Sequence, residues 1–171
     1  MIEILSFYEA KKREGEFKYV ISINDHLLYP IFRVYGTKSN CNLNFNDIWE
    51  KNGTYWIWAG DRAIPCPDKE VFLPEENQLD LVDSFLMVYP DFLESKSLIH
   101  CWAGISRSSS IYLYILLKSG YHFDDAMKKI LEVRPFARPN LTLASYMKDK
   151  LNLNYDVREL LLNRFDYSLL T

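Results

Sequence analysis

The chain has 171 residues, 49% of them hydrophobic and 15% aromatic, which suits one compact domain with a sizeable core. Its net charge of −3, with acidic and basic residues interspersed, argues against a broad basic surface for nucleic acid. Any bound anion must therefore be held by a few placed groups.

No apolar run approaches the ~18 residues of a membrane span. The opening stretch MIEILSFYEAKKREGE turns charged before it reaches signal length. Three cysteines without framework spacing argue against a disulfide-stapled secreted fold. A cytoplasmic monomer with no membrane and no nucleic-acid partner is the expectation.

In chain order, Met1–Phe7 predicts a strand and the charged residues through Glu16 a short helix. Phe17–Asn24 is rich in aromatic and β-branched residues and predicts a second strand, and Cys41–Ile48 a third. Trp49–Leu73 fits no clean element and is long for a loop in a compact domain. Pro74–Phe92 opens with helix-starting chemistry and carries apolar residues at helical spacing. Ser97–His100 predicts a short buried strand. Ser108–Ser119 is apolar around its circumference, as a central buried helix is, with Gly120 as its stop. Amphipathic helices are expected at Asp124–Val133 and Leu141–Leu151, with a last one at Asp156–Phe165. Strands followed by helices predict an α/β domain with a mainly parallel sheet of about four or five strands flanked by helices.

The informative stretch is SLIHCWAGISRSSSIYLYILL. A strand ends in His100, then come Cys101, five residues, Arg107, and at once a buried helix. A tight strand-to-helix turn points several backbone N–H groups into one concavity, where the helix dipole adds positive potential. Gly104 lets the turn curl without a Cβ clash. The loop Trp102, Ala103, Gly104, Ile105, Ser106 and Arg107 then forms a cup for a tetrahedral oxyanion, with Arg107 as a bidentate fork. A thiol in such a place is expected to ionise well below the free value of ~8.5. Cys101 is the candidate nucleophile, and the Ser108 hydroxyl can stabilise its thiolate and help it leave. His100 is expected to support the loop by hydrogen-bonding backbone near Cys101.

HCWAGISRS resembles the His-Cys-(five residues)-Arg-Ser/Thr motif of the cysteine-based protein tyrosine phosphatase superfamily, and the chain's size resembles its compact dual-specificity branch. The chain is also similar to a group of small bacterial predicted protein tyrosine phosphatases. That group shares an HC-[WY]-AGISRS loop, a hydrophobic-x-Asp-Ile segment and a Pro-x-Ala-x-Pro-Asn element, here Pro135, Ala137, Pro139 and Asn140. The resemblance implies hydrolysis of phosphomonoesters through a phosphocysteine, with a phosphorylated protein or small phosphomonoester as substrate and no metal or organic cofactor. It also implies that Asn140 braces the phosphate loop or orients a water. The residues alone equally allow a helix N-cap for Leu141–Leu151. Arg134 and Arg138 either lend positive potential at the cleft or are solvated. Relative to the family, the chain carries an expected insertion within Trp49–Phe72.

A carboxylic acid is needed to protonate the leaving oxygen and then serve as base for water. Asp47 matches the family's Asp-Ile position, 54 residues ahead of Cys101, and a strand end fixes a side chain firmly. Asp68 and Asp61 are the alternatives, with solvated loop charge as their plain reading. Cys41 and Cys66 either pair with Cys101 under oxidation or have no redox role. Trp56 and Trp58 either wall an aryl substrate or bury the insertion's own core. Rival functions are an inactive phospho-binding pseudophosphatase and a sulfurtransferase, since rhodanese-like enzymes also place Cys in a strand-to-helix loop. The absence of Lys and Arg from Trp102–Ser106 argues against inositol polyphosphates.

Overall fold

The computed structural model describes residues 1–25, 34–51, 53–59, 62–66, 73–165 and 167. Its central sheet is built from β1 (Ile2–Ser6), β2 (Tyr19–Asn24), β3 (Ser39–Asn44) and β7 (Ser97–Cys101). The strand order is β1-β7-β2-β3, and every neighbouring pair is parallel. All strands therefore end on the same side, with β7 in the interior of the sheet.

The helices are α1 (Phe7–Lys12), α2 (Asn77–Val88), α3 (Arg107–Lys118), α4 (Phe123–Val133), α5 (Leu141–Lys150) and α6 (Val157–Arg164). Strand alternation divides them between two faces. Tyr19, Ile21, Ile23, Ile99 and Cys101 join the larger core with α2–α6, and Val20 and Leu98 join Phe7 and Ala10 of α1. In α3, every residue from Arg107 to Leu117 is buried, as its apolar circumference predicts. None of the described helices is long and apolar enough to cross a membrane.

Local chemistry explains where elements stop. A capping box starts α1: Ser6 Oγ accepts from Glu9 N, and the Glu9 carboxylate accepts from Ser6 N. The helix expected to run to Glu16 ends at Lys12. Of the stretch Pro74–Phe92, only Asn77–Val88 is α-helical, and a 3₁₀ turn follows at Pro90–Phe92. Pro90 lacks an N–H and pushes Tyr89 out of the helical region, to φ −125° and ψ 70°.

The third strand leaves the sheet after Asn44, and Ile48 starts a different ladder. β4 (Ile48–Lys51), β5 (Thr54–Ala59) and β6 (Arg62–Pro65) form a three-stranded antiparallel sheet in that order. Of the stretch that fits no element by pattern, the described residues up to Pro65 thus lie mainly in three paired strands. Lys51 pairs with Thr54 across Asn52-Gly53, a dipeptide that favours two-residue hairpins, and Gly53 has φ +76°.

Candidate active site

β7 feeds Cys101 directly into the loop 102–106, and α3 starts at Arg107. Ser6 is in register with Cys101, so the end of β1 lies against the loop. Gly104 has φ +70°, and a Cβ there would stand 2.6 Å from the Leu5 carbonyl carbon and 2.7 Å from Ser6 N. Only glycine fits.

Five consecutive loop carbonyls point outward to donors. Trp102 O accepts from Phe7 N at 3.1 Å. Ala103 O and Gly104 O accept from Arg134 Nη2 and Nε at 3.0 and 3.1 Å. Ile105 O accepts from Arg138 N at 3.0 Å, and Ser106 O from Ser110 N at 3.0 Å. A planar trans peptide holds N–H opposite C=O, so the N–H groups of residues 103–107 turn toward the interior of the loop. That arrangement is an anion-binding nest at a helix N-terminus. Gly104 N donates to Cys101 Sγ at 3.3 Å, and Ser108 Oγ lies 3.3 Å from the same sulfur.

Arg107 is 4% exposed. Its Nη1 donates to Asp25 Oδ1 at 2.7 Å and to Phe45 O at 3.1 Å. Nε lies 3.8 Å from Asp47 Oδ2 and, though buried, has no hydrogen-bond partner. Burial opposes the charged form of this side chain, but Asp47, Cys101 and Asp25 together hold its pKa above the usual guanidinium value.

Asp47 follows the end of β3, next to Arg107. Its Oδ1 accepts from Ser106 Oγ at 2.7 Å and from Asn140 Nδ2 at 2.9 Å. Burial raises its pKa, against the lowering effects of Arg107, Ser106 and Asn140. Asn140 combines both sequence readings. Its Oδ1 caps α5 by accepting from Thr142 N and Leu143 N, while its Nδ2 reaches Asp47 and Ile48 O. His100 Nε2 pairs with Ser22 Oγ at 2.7 Å. Burial lowers the pKa of His100 to about 4, with the Cys101 backbone opposing, so the ring is neutral at pH 7.

The structure therefore gathers Cys101, Arg107, Ser108, Asp47 and Asn140 around one loop. Asp61 and Asp68 lie outside the described residues. Cys41 is buried in the core, where burial pushes its thiol up to about 11. No disulfide joins Cys41, Cys66 or Cys101. Trp56 packs on the larger core. The Trp58 side chain lies outside the described residues. Arg138 stacks over Phe165 at 4.5 Å from its ring centre.

Two residues carry more than the sequence indicates. Arg134 braces the loop from outside and pairs with Glu9 at 3.2 Å. Asp25, the residue just past the second predicted strand, holds Arg107; an acidic residue at the C-terminal end of a sheet strand was the available signal. A cavity beside the site is lined by Phe7, Ile23, Asn24, Asp25, His100, Cys101 and Trp102.

No family model matches the chain. It is 29% identical over 119 residues to human dual specificity protein phosphatase 16, covering 60% of this chain and 17% of that one. The chain spans only 13–17% of the length of the curated relatives it matches. Human DUSP28 superposes with a TM-score of 0.56 at 14% identity, over 96% of this chain and 95% of that one. DUSP15 does so with 0.54 at 20% identity, over 96% and 92%. The chain therefore has the fold of the dual-specificity phosphatases and is similar to them in sequence, and its HCWAGISRS loop resembles the His-Cys-(five residues)-Arg-Ser/Thr motif of the cysteine-based protein tyrosine phosphatase superfamily.

Proposed function

We propose that the protein hydrolyses phosphomonoesters, phosphotyrosine and/or phosphoserine/threonine among them, through a phosphocysteine. The observation that carries this reading is the loop itself. Five carbonyls are engaged by donors outside the cup, Gly104 N donates to Cys101 Sγ, and the buried Arg107 Nε is left without a partner. A buried guanidinium N–H without an acceptor is costly unless a ligand supplies one.

In this mechanism the Cys101 thiolate attacks phosphorus, and the loop amides and Arg107 hold the equatorial oxygens. The P–O bond breaks, and the leaving oxygen takes a proton from Asp47. Ser106 and Asn140 both donate to Asp47 Oδ1, which keeps that atom the carbonyl-like oxygen of the acid and leaves the proton on Oδ2, toward Arg107. The Asp47 carboxylate then takes a proton from water as the water attacks phosphorus. The S–P bond breaks, Ser108 hydrogen-bonds the departing thiolate, and phosphate leaves. His100, neutral and bonded to Ser22, supports the strand end and transfers no proton.

Cys101→Ser tests this directly. The variant is expected to lose turnover of an aryl phosphate while still binding inorganic phosphate. A rate above a few per cent of wild type overturns the assignment. Thiosulfate sulfurtransferase activity, measured in parallel, is expected to be absent. Phosphate binding by a wild-type protein with no turnover would instead favour a phospho-binding module.

A further inference from the structure

Arg107 carries a second carboxylate, and its geometry differs from that of Asp47. β2 lies parallel beside β7, with Ser22 opposite His100, so the residue after β2 reaches the level of the loop. That residue is Asp25. Its Oδ1 accepts from Nη1 at 2.7 Å, and its Oδ2 faces Nη2 at 3.4 Å, beyond a strong bond. Phe45 O takes the other Nη1 proton at 3.1 Å.

One end of the guanidinium is thus tied at Nη1, whereas Nε is buried and unpaired and Nη2 has only the long contact. A planar fork fixed at Nη1 cannot turn its Nε–Nη2 edge away. Arg107 is 4% exposed against 26% for the Asp25 side chain, so the cation is deeply buried and needs a counter-charge whenever no anion occupies the loop.

The geometry points to Asp25 as a positioning residue: it holds Nη1 so that the Nε–Nη2 edge of Arg107 stays aimed at the phosphate, and it keeps the buried cation paired between turnovers. It transfers no proton. This role rests on the reading that Arg107 binds the phosphate.

The test is a double-mutant cycle of Asp25→Asn with Arg107→Lys, reading the affinity for inorganic phosphate. Lysine has no Nη1 for Asp25 to hold. Asp25→Asn is expected to weaken phosphate about tenfold in the wild-type background, the scale of one charge-assisted hydrogen bond. In the Arg107→Lys background the loss should be less than about twofold. Equal losses in both backgrounds, or no loss in wild type, overturn the proposal.

Asp25→Asn should also leave the dependence of kcat on leaving-group pKa as in wild type. A steeper dependence would make Asp25 the acid and overturn the positioning role. Should Asp25→Asn fail to fold, Asp25→Glu carries the same cycle. It keeps the charge but misaims the fork, so a loss confined to the Arg107 background is again expected. Arg107→Lys by itself separates the two readings: phosphate binding unchanged there sinks the Arg107 clamp, whatever Asp25 does.

Discussion

The two oxygens of Asp47 are not equivalent. Oδ1 has two donors, Ser106 and Asn140, and Oδ2 faces Arg107 Nε at 3.8 Å. Burial raises the pKa of the group, the direction a general acid needs to stay protonated nearer neutral pH. On the proposed mechanism, Asp47→Asn is expected to lower kcat by about 10²–10³, within the range general acid catalysis contributes. The basic limb of the pH–rate profile should flatten, because that limb reports loss of the acid's proton. The drop should grow for alkyl phosphates and shrink for esters with good leaving groups. A uniform drop across leaving groups would count against Asp47 as the acid, and the same series on Asp68→Asn and Asp61→Asn would locate it.

At the scale of elements, the active loop is shaped as much by what lies outside it as by its own residues. α1 donates Phe7 N to Trp102 O, and Arg134, just past α4, takes the next two carbonyls. β1 lies so close that Gly104 has no room for a side chain. Gly104→Ala is therefore expected to displace the loop from β1. A left-handed non-glycine residue costs roughly 1–2 kcal/mol by itself, and the backbone clash adds to it. Thermal unfolding should show the loss in stability, and kcat/KM for an aryl phosphate should fall by more than that loss explains. Unchanged melting and kinetics would mean the loop can curl without glycine.

For the whole molecule, the consequence read from the site is a pH dependence of stability. His100 is 1% exposed, and burial depresses its pKa from 6.5 to about 4. Between those two values the unfolded chain binds a proton that the folded chain does not. Stability is therefore expected to fall as pH drops through that window. The full difference corresponds to on the order of 3 kcal/mol. Urea unfolding between pH 7 and pH 4.5 measures it, and His100→Gln should flatten the slope. An equal slope in the variant would place the acid sensitivity in other groups.

Local sequence by itself determined the strand–loop–helix unit. The apolar run, Gly104, and the start of an all-apolar helix at once after Arg107 are neighbours in the chain and act over short range. The N-cap at Asn140 was legible for the same reason, and Asn52-Gly53 held a hairpin signal that the strand pattern alone concealed. The contacts of Arg107 were not legible locally. Asp25 lies 82 residues from it, Phe45 62, and Asn140 lies 93 from Asp47. They meet because the strand order is β1-β7-β2-β3 and all four strands end on one side. Strand order and register are set by packing both faces of the sheet at once, and a slip of one residue would turn every side chain of a strand to the opposite face. Which carboxylate reaches the guanidinium, and with which oxygen, is therefore a property of the packed sheet.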